Sequence, residues 1–284
     1  MTTTEQTPAT FDLGGDLTVH RLGFGAMRIT GDGVWGEPAD RANAVRVVQA
    51  AVEGGVDFID TADAYGPQVS EQIVGEALTG RTGVVVGTKA GLTRTGPGEW
   101  IPVGRPAYLK QQVELSLRAL RTERIDLIQL HRIDPDVPLA DSLGAFVELQ
   151  EQGKVRHIGV SEVSVEELRA AQEITPIASV QNQYNLTDRK SADVLDHATE
   201  HGIAFIPWNP IAVGKLAGTD SPVADIAREL DATPSQVALA WLLQKSPVVL
   251  PIPGTQSLEH LAENLGAARL TLSTEDVARL DALA

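Results

Sequence analysis

Residues 84–131 read VVVGTKAGLTRTGPGEWIPVGRPAYLKQQVELSLRALRTERIDLIQLH, and they contain the repeating unit from which we predict the fold. The stretch begins and ends with short apolar runs, 84–89 and 125–131, of the kind that form buried strands. Between them, residues 107–121 place apolar side chains at helical spacing. We therefore expect a strand, a helix and a second strand.

The same alternation extends along the whole chain. Strand-like runs occupy residues 22–25, 56–60, 84–89, 125–131, 157–161, 179–183, 204–208 and 248–252. Amphipathic segments lie between them at 42–53, 71–78, 107–121, 139–152, 165–172, 192–201 and 236–245. Eight strand and helix units without a dividing linker favour a single α/β domain over residues 1–284, a (β/α)₈ TIM barrel.

Two features of the N-terminal region refine this prediction. The alternative is a doubly wound open sheet, but residues 22–27 supply only two glycines and lack a complete dinucleotide fingerprint. Residues 11–21 contain the turn sequence Gly14-Gly15-Asp16 and are predicted to form a β-hairpin that closes the bottom of the barrel. The first ten residues are expected to be flexible.

Composition excludes several classes of function. With 23 basic and 38 acidic residues the net charge is −15, so we expect neither nucleic acid nor a membrane surface as a partner. The absence of cysteine excludes disulfides and thiolate metal sites. The six histidines have no metal-ligand spacing, so no metal is expected. The chain shows no signal peptide or membrane span, which indicates a cytoplasmic protein. Its oligomeric state is open, and a monomer is compatible with the sequence.

Ionisable side chains stand where three neighbouring strands are predicted to end. Asp60, Lys89 and His131 terminate the second, third and fourth runs, and Tyr65 follows Asp60 by five positions. Taken singly, each has a commoner structural explanation as a turn acceptor, solvated charge or packing residue. Because barrel enzymes carry their chemistry at the carboxyl ends of the strands, the joint placement favours a catalytic site.

The four side chains suit one kind of proton transfer. A phenol is a weak acid, but a nearby ammonium favours the phenolate, so Lys89 can strengthen the acidity of Tyr65. Asp60 would hold Lys89 in place and keep it charged. His131 would position a carbonyl oxygen by hydrogen bonding. This set can protonate an oxygen while a hydride arrives at its carbon.

Several ordered motifs resemble the aldo-keto reductase family. They are DFIDTADAYG at 57–66, EQIVGEAL at 71–78, GTK at 87–89, LIQLH at 127–131, GKVRHIGVS at 153–161, QNQY at 181–184 and IPG at 252–254. The resemblance implies NAD(P)H-dependent reduction of an aldehyde or ketone, with Tyr65 as general acid supported by Asp60, Lys89 and His131. Residues 23–36 are similar to a bacterial subgroup that includes pyridoxal reductases, so pyridoxal-like and other small aldehydes are candidate substrates.

The resemblance also implies an extended NADPH site, with NADH left open. Ser161 and Gln183 would bind the nicotinamide carboxamide, and Trp208 would stack on the ring. Further cofactor contacts are expected from Gly25, Met27, Asp60, Glu162, Asn209, Pro210, Ile211, Lys215, Ile252, Gly254, Thr255, Gln256, His260, Glu263 and Asn264. Gln256 and His260 stand where many relatives have cations for the 2′-phosphate, which weakens the expected preference for NADPH.

Two loop tryptophans point to a substrate pocket. Trp35 and Trp100, together with Met27, are predicted to wall it, although the tryptophans have an equal alternative role as anchors to the barrel rim. Two other functions remain open at this stage. One is a Schiff-base lyase that uses Lys89. The other is a non-catalytic, cofactor-binding regulatory protein on the same barrel.

Overall fold

Parallel strands form the centre of the molecule, and helices pack around them. The computed structural model describes residues 9–211 and 221–283. The strands are β1 Thr10–Leu13, β2 Leu17–His20, β3 Phe24–Gly25, β4 Phe58–Asp60, β5 Val85–Ala90, β6 Leu92–Thr93, β7 Ile101–Pro102, β8 Ile125–Leu130, β9 Val155–Ser161, β10 Ser179–Gln181 and β11 Ala204–Phe205. Seven of them form one parallel sheet in the order β11-β10-β9-β8-β5-β4-β3.

The helices follow the strands around the outside. They are α1 Arg41–Glu53, α2 Val69–Ala77, α3 Pro106–Leu120, α4 Leu139–Glu151, α5 Val165–Ile174, α6 Ala192–His201, α7 Pro222–Glu229, α8 Pro234–Lys245, α9 Leu258–Gly266 and α10 Thr274–Asp281. Local sequence explains where several begin. Asp40 caps α1, and the capping box of Ser164 and Glu167 starts α5. None of the helices among the described residues combines the length and apolarity that crossing a membrane requires.

The eighth predicted strand closes the barrel without being a regular strand. The Phe205 amide donates to the Val248 carbonyl at 2.8 Å, and on the other side the Gly23 amide donates to the Pro251 carbonyl at 3.0 Å. Pro251 and Pro253 have no amide hydrogen, so this segment accepts bonds from Gly23 and Gly25 but cannot complete a ladder. The (β/α)₈ barrel is confirmed, but regular strand geometry over 248–252 was predicted wrongly.

The N-terminal hairpin covers the bottom of the barrel, as predicted. β1 and β2 pair antiparallel, and their residues Leu13 and Val19 are fully buried in one cluster with Phe58. At the hairpin tip, Asp16 accepts a 2.6 Å hydrogen bond from His157 of β9. Residues 1–8 lie outside the described part of the chain, so the predicted flexibility of the N-terminus stays a prediction there. Thr10 already belongs to β1.

Candidate active site

A buried ion pair lies at the end of the barrel where the parallel strands terminate. The Lys89 Nζ donates to Asp60 Oδ1 at 2.6 Å and to the Thr61 carbonyl at 2.8 Å. The two side chains are 0% and 2% exposed. They meet because β4 and β5 are neighbouring parallel strands, and Asp60 and Lys89 stand near the carboxyl ends of both. Removing either partner of such a deeply buried pair would leave an uncompensated charge away from water, which is strongly destabilising. The two side chains therefore depend on each other.

Tyr65 and His131 complete the predicted group of four. The Lys89 Nζ donates to the Tyr65 Oη at 3.4 Å. The rings of Tyr65 and His131 lie edge to face, with centroids 5.8 Å apart. Asp60, Tyr65 and His131 all line one cavity of about 660 Å³, which we call the catalytic cavity. The structure therefore brings the four predicted side chains together, with Lys89 just beneath the cavity wall.

Burial and neighbouring charges shift the pKa values of Lys89, Tyr65 and His131, in opposition for the first two and together for His131. Burial by itself lowers the pKa of Lys89, but Asp60 and Tyr65 outweigh it and the pKa is raised. Burial raises the pKa of Tyr65, and the opposing effect of Lys89 is not large enough to reverse this. Lys89 thus lowers the pKa of Tyr65 as predicted, but burial is the larger effect in the protein alone. Burial and the neighbouring cations hold the pKa of His131 well below its usual range, so its imidazole is neutral.

Two amides fix the far side of the Asp60 carboxylate. Gln181 donates to Asp60 Oδ2 at 2.8 Å, and Gln129 donates to the same oxygen at 3.3 Å. Gln181 also lines the catalytic cavity, whereas the predicted Gln183 is not among its lining residues. β10 ends at Gln181, so the last strand position was the signal that could have identified it. The structure favours Gln181 over Gln183 as the amide of the cavity wall.

A second cavity, of about 460 Å³, adjoins the first and is named the α9 cavity. The two cavities share Arg28, Ile211 and Gly254. The predicted cofactor residues Gly25, Met27, Asp60, Ser161, Trp208, Asn209, Pro210, Ile211, Ile252 and Gly254 line the catalytic cavity. Those lining the α9 cavity are Ile211, Gly254, Thr255, Gln256, His260, Glu263 and Asn264. Two adjoining cavities with polar groups and Arg28 in their shared wall fit an extended dinucleotide.

Some predicted residues have other contacts. Glu162 lies outside both sets of lining residues, and its Oε1 accepts from the Trp208 Nε1 at 2.5 Å, so it holds the indole in place. Gln256 uses its amide to donate to the Thr30 carbonyl at 3.1 Å. That contact ties the side chain to backbone and leaves it poorly placed for a phosphate. Lys215 falls outside the described residues, so its predicted role stays a prediction.

Arg94 holds together the loops that carry Trp35 and Trp100, beside Tyr65. Sequence reasoning missed this residue. Its guanidinium donates to the backbone carbonyls of Gly33, Val34, Ala64, Gly96 and Glu99. It also lies 3.6 Å from the centroid of the Trp100 ring, and Trp100 packs edge to face against Tyr65. Trp100 lines the catalytic cavity as predicted, but Trp35 does not and packs 5.7 Å from Arg94 instead. For Trp35 the alternative of a loop anchor is therefore favoured.

No group of three or more histidine or acidic residues within 9–211 and 221–283 is arranged to hold a metal ion.

Comparisons with known proteins agree with this geometry. A model of the aldo/keto reductase family matches residues 21–284. The pyridoxine 4-dehydrogenase of Escherichia coli (strain K12) is 41% identical over 281 residues, which cover 96% of this chain and 98% of that protein. An uncharacterized oxidoreductase of Schizosaccharomyces pombe is 48% identical over 267 residues, 94% of this chain and 87% of the relative.

A solved structure shows the same fold. The crystal structure of an aldo-keto reductase from Klebsiella pneumoniae in complex with NADPH matches with a TM-score of 0.84 and 30% identity, covering 96% of this chain and 94% of that one. The resemblance carried by the sequence motifs is confirmed. The chain belongs to the aldo-keto reductase family.

Proposed function

We propose that this protein reduces an aldehyde or ketone to the alcohol with NADPH, and that Tyr65 is the general acid. The observation that carries the proposal is Tyr65, which lines the catalytic cavity and whose hydroxyl lies 3.4 Å from an ammonium that is itself held by a buried carboxylate. NADPH, when bound, supplies the hydride. Every other requirement of the reaction concerns the proton and the position of the carbonyl oxygen.

The chain's own residues meet those requirements. Tyr65 donates its proton to the carbonyl oxygen, and Lys89 stabilises the phenolate that remains. Asp60 keeps Lys89 charged and fixed, and the two amides on its other oxygen hold the carboxylate. The neutral imidazole of His131 orients the same carbonyl oxygen by hydrogen bonding. Since Tyr65 alone is a weak acid in this buried site, the cationic support from Lys89 is essential to its role.

Different parts of the cofactor would occupy the two adjoining cavities, the nicotinamide in the catalytic cavity and the adenine in the α9 cavity. Ser161 and Gln181 would bind the carboxamide, and Trp208 would stack on the nicotinamide ring. Arg28 and the start of α9 would face the phosphates, because a cation and the N-terminal end of a helix attract anions at this point. Asn264, which is buried in the α9 cavity, would lie near the adenine. The structures of relatives with NADPH support this cofactor for the present chain.

A pyridoxal-like aldehyde is one candidate substrate. The similarity to the pyridoxine 4-dehydrogenase of E. coli over nearly the whole chain supports it. The apolar surfaces of Trp100, Met27 and Leu92 in the cavity suit a small ring. A cytoplasmic location and a monomeric state stay predictions.

The competing functions are less well supported. A Schiff-base lyase needs a free amine, but Lys89 is fully buried, its pKa is raised, and it already donates to Asp60 and Thr61. A regulatory protein would not require the complete set of proton-handling groups that the cavity contains.

The test is NADPH oxidation with a panel of carbonyl compounds that includes pyridoxal, followed by the Tyr65→Phe variant. This substitution removes one hydroxyl, so we expect turnover to fall at least about 10³-fold while NADPH still binds in a fluorescence titration. Persistent turnover in Tyr65→Phe would show that another group supplies the proton. Failure of every carbonyl to oxidise NADPH would reject the proposed reaction.

A further inference from the structure

The catalytic cavity carries positive charge in a protein whose net charge is −15. The charged residues in its wall are Arg28, Asp60 and Arg132. Asp60 is neutralised by Lys89 at 2.6 Å, so the described wall of the cavity itself supplies no further acidic group to the two guanidinium groups. Within the part of the chain that the structure describes, neither Arg28 nor Arg132 forms an ion pair. An unbalanced charge of this kind in a ligand cavity indicates an anionic ligand.

The two arginines face different parts of the cavity system. Arg28 is exposed and borders both cavities, so it lies on the path of the cofactor phosphates. Arg132 follows His131 directly at the end of β8 and borders only the catalytic cavity. One cation is therefore accounted for by the cofactor, and the other lies beside the reacting groups.

The guanidinium group of Arg132 has hydrogen-bond donors that its contacts within the protein do not use. Its Nη1 donates to the His131 carbonyl at 2.6 Å and to the Ser161 Oγ at 3.2 Å. Its Nε and Nη2 have no hydrogen-bond partner among the described residues. The acid that acts on it electrostatically is Glu162, whose Oε1 accepts from Trp208 and from the Gln183 amide. Because Nη1 is anchored, the rest of the guanidinium is held in one orientation with its other donors free.

A half-buried guanidinium that is anchored through one nitrogen keeps its remaining donors available to a ligand. Its planar fork matches carboxylate and phosphate groups, which accept two parallel hydrogen bonds. We propose that Arg132 forms a subsite for an anionic group on the carbonyl substrate, so that the preferred substrates are aldehydes or ketones bearing a carboxylate or phosphate. This proposal rests on the proposed function and specifies its substrate class.

The experiment compares substrates that differ in charge but share the reacting group. The first pair is 4-carboxybenzaldehyde and methyl 4-formylbenzoate, and the second is succinic semialdehyde and butanal. For each pair the ratio of kcat/KM, anion over neutral, is measured in the wild type, in Arg132→Gln and in Arg132→Lys. Arg118→Gln is the matched control, since it makes the same change of charge at an exposed position on α3.

We expect the wild-type ratio to exceed one and to fall about 10- to 100-fold in Arg132→Gln, mainly through KM, because a hydrogen-bonded charge pair is lost. Arg132→Lys should retain part of the ratio, as it keeps the charge without the fork. The ratio should not change in Arg118→Gln. A phosphate-bearing aldehyde, pyridoxal 5′-phosphate, tested against pyridoxal distinguishes phosphate from carboxylate recognition.

Two results would overturn the proposal. One is a wild-type ratio near one for all pairs. The other is an equal fall in kcat/KM for charged and neutral substrates together with weaker NADPH binding. That result would indicate that Arg132 acts on the nicotinamide by positioning Ser161. If no carbonyl is reduced at all, binding of 4-(hydroxymethyl)benzoate in the presence of NADP⁺ still tests the subsite. Equal binding of that anion to wild type and Arg132→Gln would reject it.

Discussion

The two ends of the cavity system use charge in opposite ways. At the catalytic end, Lys89 and Asp60 are excluded from water and joined at 2.6 Å. At the α9 end, Arg28, Gln256 and His260 are exposed, and the Gln256 amide is bound to backbone. Electrostatic interactions are strong and geometrically strict where water is absent, and weak and screened where it is present. We therefore expect single substitutions to have large effects at the first end and modest ones at the second.

The largest effect should follow from Lys89→Met. This change leaves the Asp60 carboxylate buried without its ammonium, so we expect a loss of about 3–5 kcal/mol in the free energy of unfolding and of almost all turnover. Chemical denaturation and steady-state kinetics measure both. The double variant Asp60→Asn with Lys89→Met removes both charges and should recover much of the stability without recovering activity. Equal free energies of unfolding for the single and double variants would contradict the idea that the unpaired Asp60 charge causes the loss of stability.

Glu71, another buried acid close to β5, should make stability depend on pH. Glu71 is fully buried and accepts a 2.6 Å hydrogen bond from Thr88, next to Lys89 in β5. Burial raises the pKa of Glu71 to about 7 from its ordinary 4.5. The folded protein therefore holds this proton more tightly than the unfolded chain. Its stabilising effect is complete below pH 4.5 and is lost as the pH rises to about 7.

Glu71→Gln imitates the protonated acid and should remove this dependence. Relative to wild type, the variant should gain on the order of 3 kcal/mol in unfolding free energy between pH 4.5 and pH 7, with little difference below that window. Urea denaturation at a series of pH values measures the difference. Parallel curves for the two proteins across the window would show that Glu71 is ionised in the folded state.

The smallest effect is expected at the α9 end, from Arg28→Gln. An exposed cation beside a phosphate contributes modestly, so the dissociation constant of NADPH should rise about 3- to 10-fold, and less at high salt. Fluorescence titration at two ionic strengths measures this change. Arg118→Gln, on the outer surface of α3, controls for the loss of net positive charge. A 100-fold or salt-independent rise in the dissociation constant of NADPH in Arg28→Gln would contradict the contrast between the two ends.

Strand periodicity made much of the catalytic end predictable. Asp60, Lys89 and His131 could be placed together because neighbouring parallel strands end on one rim. Gln181 was missed because residues two apart on an extended strand share one face, so sequence alone does not separate it from Gln183. The choice depends on where β10 ends, which is at Gln181. Arg94 could not be found from spacing, since it bonds a carbonyl 61 residues away in a separate loop. Such contacts are fixed by loop conformation, which hydrophobic patterning does not encode.

Sequence patterning alone predicts the barrel, the hairpin beneath it and the four side chains that meet at one end of it, because burial imposes a period on strands and helices that can be read directly. Tertiary structure alone decides the acidity of Tyr65, the neutral state of His131 and the unpaired donors of Arg132. These properties depend on how much water each group loses and on which charges from distant segments surround it. Neither quantity is a property of neighbouring residues in the chain.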